Sequence, residues 1–128
     1  MKNKSVILTQ NGFTLLELMS VLVIMGVMVS LSVKKFDLIS DNASIYAIEA
    51  GIRELNTRET LVWTQMKLSE TDWPGDNDVY KAIDTNLGKG YVWNPPGPTI
   101  SAGTLTYKSQ AIDLRRTAST KNSVGFWH

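Results

Sequence analysis

The stretch from Phe13 to Val33, FTLLELMSVLVIMGVMVSLSV, decides most of what this chain can become. It is 21 residues long and Glu17 is its only charge. As a helix rising about 1.5 Å per residue it spans about 31 Å, the thickness of a bilayer's hydrocarbon core. Lys2, Lys4 and the amino terminus precede it. Basic residues stay on the cytoplasmic side, which sends the bulk of the chain across the membrane. Lys34 and Lys35, just after the run, oppose that orientation and weaken the cue. The run exceeds the 7–15 apolar residues of a secretory signal, and no A-x-A-like site follows it.

Beyond the run the apolar residues keep a helical spacing. Leu38, Ile45, Ile48, Ile52, Leu55, Val62 and Met66 fall on one face, which Asp41 and Glu59 interrupt. No proline occurs before Pro74. The pattern predicts one helix from about Phe13 to about Lys67, roughly 80 Å long, with Gly26 and Gly51 as weak points. Ser69 to Asp78, SETDWPGDND, carries the turn chemistry of a loop. A short helical turn is expected within Val79 to Asn86. Short β-like runs follow at Gly90–Trp93, Thr104–Lys108, Ala111–Leu114 and Val124–Trp127. Asn94–Pro98 and Ser101–Gly103 are expected turns, and Thr117–Ser123 the last connection. The natural arrangement is α+β, a small antiparallel sheet on the amphipathic half of the helix. A head of this size without disulfides has a marginal core, and three of the four Trp lie beyond Lys67 to fill it.

Composition narrows the function classes. Thirteen Lys and Arg face twelve Asp and Glu, a net charge of +1, which is no electrostatic footprint for nucleic acid. There is no cysteine, so no disulfide framework. His128 is the sole histidine, and no nucleophile and orienting group can be nominated beside it, so no enzymatic constellation is present.

Glu17 is the residue that demands explanation. A carboxylate in a membrane helix costs about 2.5–3.5 kcal/mol at mid-bilayer and calls for a partner. The apolar run holds no cation. Cleavage after Gly12 creates one, an ammonium on Phe13 with a pKa of about 7.7–8.0 in water. In an assembly, the ammonium of a neighbouring copy can pair with Glu17. Glycine before the cut leaves a peptidase unobstructed access to the backbone.

A short basic leader, then Gly12-Phe13-Thr14-Leu15-Leu16-Glu17, then a long apolar helix, resembles the type IV prepilins and type II secretion pseudopilins. The resemblance is close from Lys2 to about Phe36 and loose beyond. It implies a pilin-like α+β fold. It also implies a leader, 1–12, removed by a prepilin peptidase that methylates the new Phe13 nitrogen. Residues 13–39 become the membrane and filament-core half of the helix, and 40–128 the head. The partners it implies are copies of the chain or related pilins, the peptidase and an inner-membrane assembly platform. The location is the bacterial inner membrane as a single-pass precursor, then a periplasmic or surface filament. Two departures stand out: Lys34 occupies a place where many relatives have proline, and the cysteine pair that closes a C-terminal loop in many pilins is absent.

Blander accounts cover the remaining motifs. No cofactor is expected. Some pseudopilins bind calcium, and Asp72, Asp76 and Asp78 cluster oxygens, but they lack EF-hand spacing and suit solvated turns. Lys108, Arg115, Arg116 and Lys121 surround Asp113 and are expected as an ordinary solvated face rather than a DNA-binding patch. Phe126 and Trp127 are expected to be buried. Asn42-Ala43-Ser44 fits a glycosylation sequon that carries no weight in a bacterial compartment. A minor tip subunit with an adhesive or DNA-uptake role is the alternative function.

Overall fold

A computed structural model describes residues 12, 14–70 and 72–128. The elements run α1 (Leu15–Leu68), α2 (Asp76–Ala82), β1 (Tyr91–Asn94), β2 (Ala102–Tyr107), β3 (Gln110–Thr117) and β4 (Phe126–Trp127). The chain divides into two compact units, Met1–Leu38 and Ile39–His128.

The first unit consists, among its described residues, of the apolar part of α1. Its side chains from Leu15 to Leu38 are exposed throughout. This helix is long and apolar enough to cross a membrane. Ser20 and Ser32 satisfy their hydroxyls inside the helix, each donating to the carbonyl four residues back at 2.8 Å. Neither serine therefore brings an unpaired polar group into lipid.

The second unit is the α+β head. Its four strands lie in the order β1-β2-β3-β4, every neighbouring pair antiparallel. Tyr91 pairs with Tyr107 and Leu105 with Ile112, so Leu105 and Leu114 turn towards the helix. The buried core is Ile48 and Leu55 of α1 with Leu105, Leu114 and Trp127 of the sheet. Ile52, Tyr80, Leu87, Tyr91, Trp93 and Tyr107 pack around it. This is the pilin-like layout of one long N-terminal helix and a small antiparallel sheet that the resemblance implied.

Two polar ties fix the sheet to α1. Asn56 donates from Nδ2 to the Trp127 carbonyl at 3.1 Å and accepts the Trp127 N–H at 2.7 Å. A strand of only two residues is thus held from both sides, by Asn56 and by its pairing with Arg116 and Thr117. The Tyr91 hydroxyl donates to the Ala47 carbonyl at 2.7 Å. Gly51 makes that approach possible, because a Cβ there would stand 2.9 Å from the Tyr91 ring. The glycine that weakens helix propensity is therefore a packing residue.

Several expectations need correction. The buried face of α1 is Ser44, Ile48, Gly51, Leu55 and Glu59, while Leu38 and Ile45 are exposed. Glu59 does not interrupt the core face but belongs to it. α2 begins at Asp76, three residues before the turn expected at Val79. Ala102 and Gly103, expected as a turn, already pair with Arg115 and Leu114. Trp127 is buried as expected, whereas Phe126 stays half-exposed against the His128 ring.

Candidate functional site

The expected processing and assembly residues lie at the start of α1. Gly12 is exposed, and a Cβ built on it meets no atom within 4 Å. Phe13 lies outside the described residues, as do Lys2 and Lys4. Thr14 caps the helix: its Oγ1 accepts the Glu17 N–H at 3.2 Å, and its carbonyl accepts the Leu18 N–H at 3.1 Å. Such a cap satisfies one of the orphan donors of the first turn and is worth about 1 kcal/mol. Sequence reasoning missed Thr14, although Thr-x-x-Glu ahead of an apolar run is the capping-box pattern.

Glu17 sits in the first turn of α1, exposed. The positive end of the helix dipole favours a carboxylate at this position. Among the described residues no cation pairs with it. A carboxylate, an N-cap and an unobstructed glycine thus lie within six positions, 12–17, at the mouth of an apolar helix.

The three aspartates of the 69–78 segment do not converge. Asp72 takes up two cations, Lys67 Nζ at 3.0 Å and Lys121 Nζ at 2.8 Å. Hydrogen bonds from Lys121 and Lys67 hold its carboxyl well below the usual carboxylate range. Asp76 turns away, towards Arg116 and Ser119. Among the described residues no group of three or more His, Cys, Asp or Glu is placed to hold a metal. Two of the three carboxylates, Asp72 and Asp76, are bound to cations of the chain itself.

Arg116 overturns the expectation of a solvated basic face. Its side chain and that of Glu59 are both 0% exposed. It grips two carboxylates bidentately. Nε and Nη2 donate to Glu59 at 3.1 and 2.6 Å. Nη1 and Nη2 donate to Asp76 at 2.9 and 2.7 Å. Nη1 also donates to the Ile100 carbonyl at 3.2 Å, so all five N–H groups have acceptors. The guanidinium further lies 5.4 Å from the Tyr80 ring centroid. Ser119 completes the cluster by donating its N–H and hydroxyl to Asp76 at 2.6 and 2.7 Å. Burial alone would raise the Asp76 carboxyl, but the hydrogen bonds from Arg116 and Ser119 outweigh it and hold it down at about 2. Burial alone would likewise lower Arg116, and its bonds to Asp76 and Glu59 raise it instead. This is a structural hub joining α1, α2, β3 and the segment before β2.

No curated protein and no solved structure matches the chain. Residues 7–33 match the family pattern described as a prokaryotic N-terminal methylation motif. That match covers the apolar run, the capped helix start, Gly12 and Glu17 together. The chain therefore carries, over residues 7–33, the prepilin-type cleavage and methylation signal of type IV pilins and pseudopilins.

Proposed function

We propose that the chain is a structural subunit of a type II secretion pseudopilus or a type IV pilus-like filament, not an enzyme. Prepilin peptidase cuts it between Gly12 and Phe13 and methylates the new Phe13 nitrogen. An inner-membrane assembly platform then draws subunits from the bilayer into a periplasmic or surface filament with related pilins. Small size and the absence of cysteine favour the pseudopilus.

The observation that carries this reading is Glu17. It occupies the first turn of an exposed apolar helix and has no cation among the described residues. A simple anchor has no use for a carboxylate there, since it only adds an insertion cost. A polymer does, because each Glu17 receives the Phe13 ammonium of a neighbour. Glu17 also favours a body subunit over the alternative of a minor tip subunit. The burial of Arg116 takes one cation away from any DNA-binding patch on the head.

The test is Glu17→Leu in cells that carry the assembly machinery. Mature subunit beginning at a methylated Phe13 is expected by mass spectrometry, because Glu17 lies beyond the cut. Filaments are expected to vanish from electron micrographs. Breaking a buried pair from one side costs about 3–5 kcal/mol at every contact. Normal filaments of Glu17→Leu subunits would sink the pairing mechanism.

A further inference from the structure

The head carries an apolar notch that its own fold leaves unfilled. It lies between α1 and the β2–β3 hairpin and is lined by Ile45, Ile48, Glu49, Gln110, Ala111 and Ile112. Its volume is about 220 Å³. Buried Ile48 forms the floor, while Ile45 and Ile112 form the walls and remain 44% and 42% exposed. Tyr46, next along α1, is 69% exposed.

The notch is smaller than the roughly 300–1,000 Å³ of small-molecule sites, and no set of polar groups converges in it. It suits one or two aliphatic side chains. Its only charged lining residue is Glu49. Glu49 is committed only to an exposed contact with Arg53 at 3.8 Å, a pairing that contributes little. Lys108, in the hairpin turn, lies 5.8 Å from the centroid of the Tyr107 ring. The occupant is therefore apolar, with a cation about one helical turn beyond its anchor. Met28, Leu31, Ser32 and Lys35 meet that description. They share one face of α1, are exposed, and line a shallow surface of their own. Two notches facing each other would instead set Glu49 against Glu49.

We propose that the notch of the head receives the Met28–Lys35 face of a second copy of the chain, with Leu31 as the anchor and Lys35 paired to Glu49. This rests on the filament reading and adds to it the surface by which one subunit's head grips a neighbour's apolar helix. The contact is distinct from the pairing of Glu17 with Phe13.

The absence of cysteine makes the contact directly testable. An Ile112→Cys chain and a Leu31→Cys chain, separable by a tag, are co-expressed with the assembly machinery. Filaments are then oxidised. A mixed disulfide dimer is expected at ten times or more the yield of a control pairing Leu31→Cys with Val92→Cys. Val92 is exposed on β1, two strands away from Ile112. Glu49→Lys is expected to reduce the mixed dimer at least fivefold, and adding Lys35→Glu to restore it. Filaments that form with no mixed dimer above the control overturn this contact while leaving the filament reading intact. An Ile112–Ile112 dimer in its place also overturns it, since the notch then pairs with itself. A chain that never polymerises, even beside its partner pilins, overturns the filament reading and this contact with it.

Discussion

Replacing Arg116 by Met removes the charged centre of the buried cluster and keeps an unbranched apolar stem. Five hydrogen bonds disappear: two to Glu59, two to Asp76 and one to the Ile100 carbonyl. Asp76 keeps Ser119 and is 19% exposed, so water partly compensates it. Glu59 has neither recourse, with its side chain 0% exposed. The dominant cost is that uncompensated carboxylate, about 3–5 kcal/mol when one side of a buried pair is removed. A domain of this size has a total stability of only about 5–13 kcal/mol. In urea unfolding of residues 39–128, followed by circular dichroism, the midpoint is expected to fall by about 2 M or more. This takes an m-value near the lower end of the usual ~1–3 kcal/mol/M range. The sign of a second variant separates the cause from simple loss of packing. Glu59→Met combined with Arg116→Met removes the stranded charge and is expected to be more stable than Arg116→Met alone. An Arg116→Met loss below about 1 kcal/mol, or a double variant weaker than the single, would refute the claim that the unpaired Glu59 carboxylate sets the cost.

Gly125→Ala is expected to lower the same urea midpoint by about 1–3 kcal/mol in equivalent stability. A Cβ there would stand 2.2 Å from Glu59 Oε1, 2.6 Å from the Thr117 carbonyl and 3.0 Å from the Ser119 nitrogen, and two of these are backbone. An unchanged midpoint would contradict that packing. The head is also expected to weaken in acid. Asp76 has its folded-state pKa lowered to about 2, so its contribution is complete above its unfolded value of about 3.9 and is lost as pH falls through about 2. Asp76→Asn should flatten stability across that window in acid titrations. A variant as acid-sensitive as the parent would point to other carboxylates.

The apolar run, its length and the place of Glu17 in its first turn were legible because each is local. A membrane span and a buried carboxylate's need for a partner follow from composition within twenty residues. The end of the helix near Pro74 and the approximate strand positions were legible for the same reason. What sequence could not supply was pairing across distance. Glu59 and Arg116 stand 57 positions apart, and nothing local to either marks it as buried. A lone Glu on an otherwise apolar face looks like an interruption, and Arg115-Arg116 looks like a solvated pair. Only the sheet register separates them, turning Arg116 with Leu114 towards the helix and Arg115 away. Gly51 misled in a related way. Its low helix propensity is a local fact, and its use, admitting the Tyr91 ring, is a tertiary one.

α1 carries two glutamates at positions where an ionised side chain is costly, and the chain treats them oppositely. Glu59 is supplied from within, by an arginine that arrives on β3 and is itself neutralised by Asp76. Every group in that cluster is satisfied by the head's own elements, so its work ends with holding α2 and β3 to α1. Glu17 is supplied by nothing among the described residues, although Ser20 and Ser32 on the same helix bond back to their own turns. A fold able to bury Glu59 so completely is able to tolerate a leucine in place of Glu17, at a gain of the insertion cost. Retaining the carboxylate makes physical sense when its cation comes from another molecule. The two residues should therefore fail differently. Substituting Glu59 alone removes two of the five hydrogen bonds of Arg116 and is expected to weaken the head before any question of assembly arises. Glu17→Leu is expected to leave the urea midpoint of the head unchanged while filaments disappear. A Glu17→Leu chain whose head also loses stability would mean that the carboxylate has a partner within the chain, and the assembly role would have to be argued from some other residue.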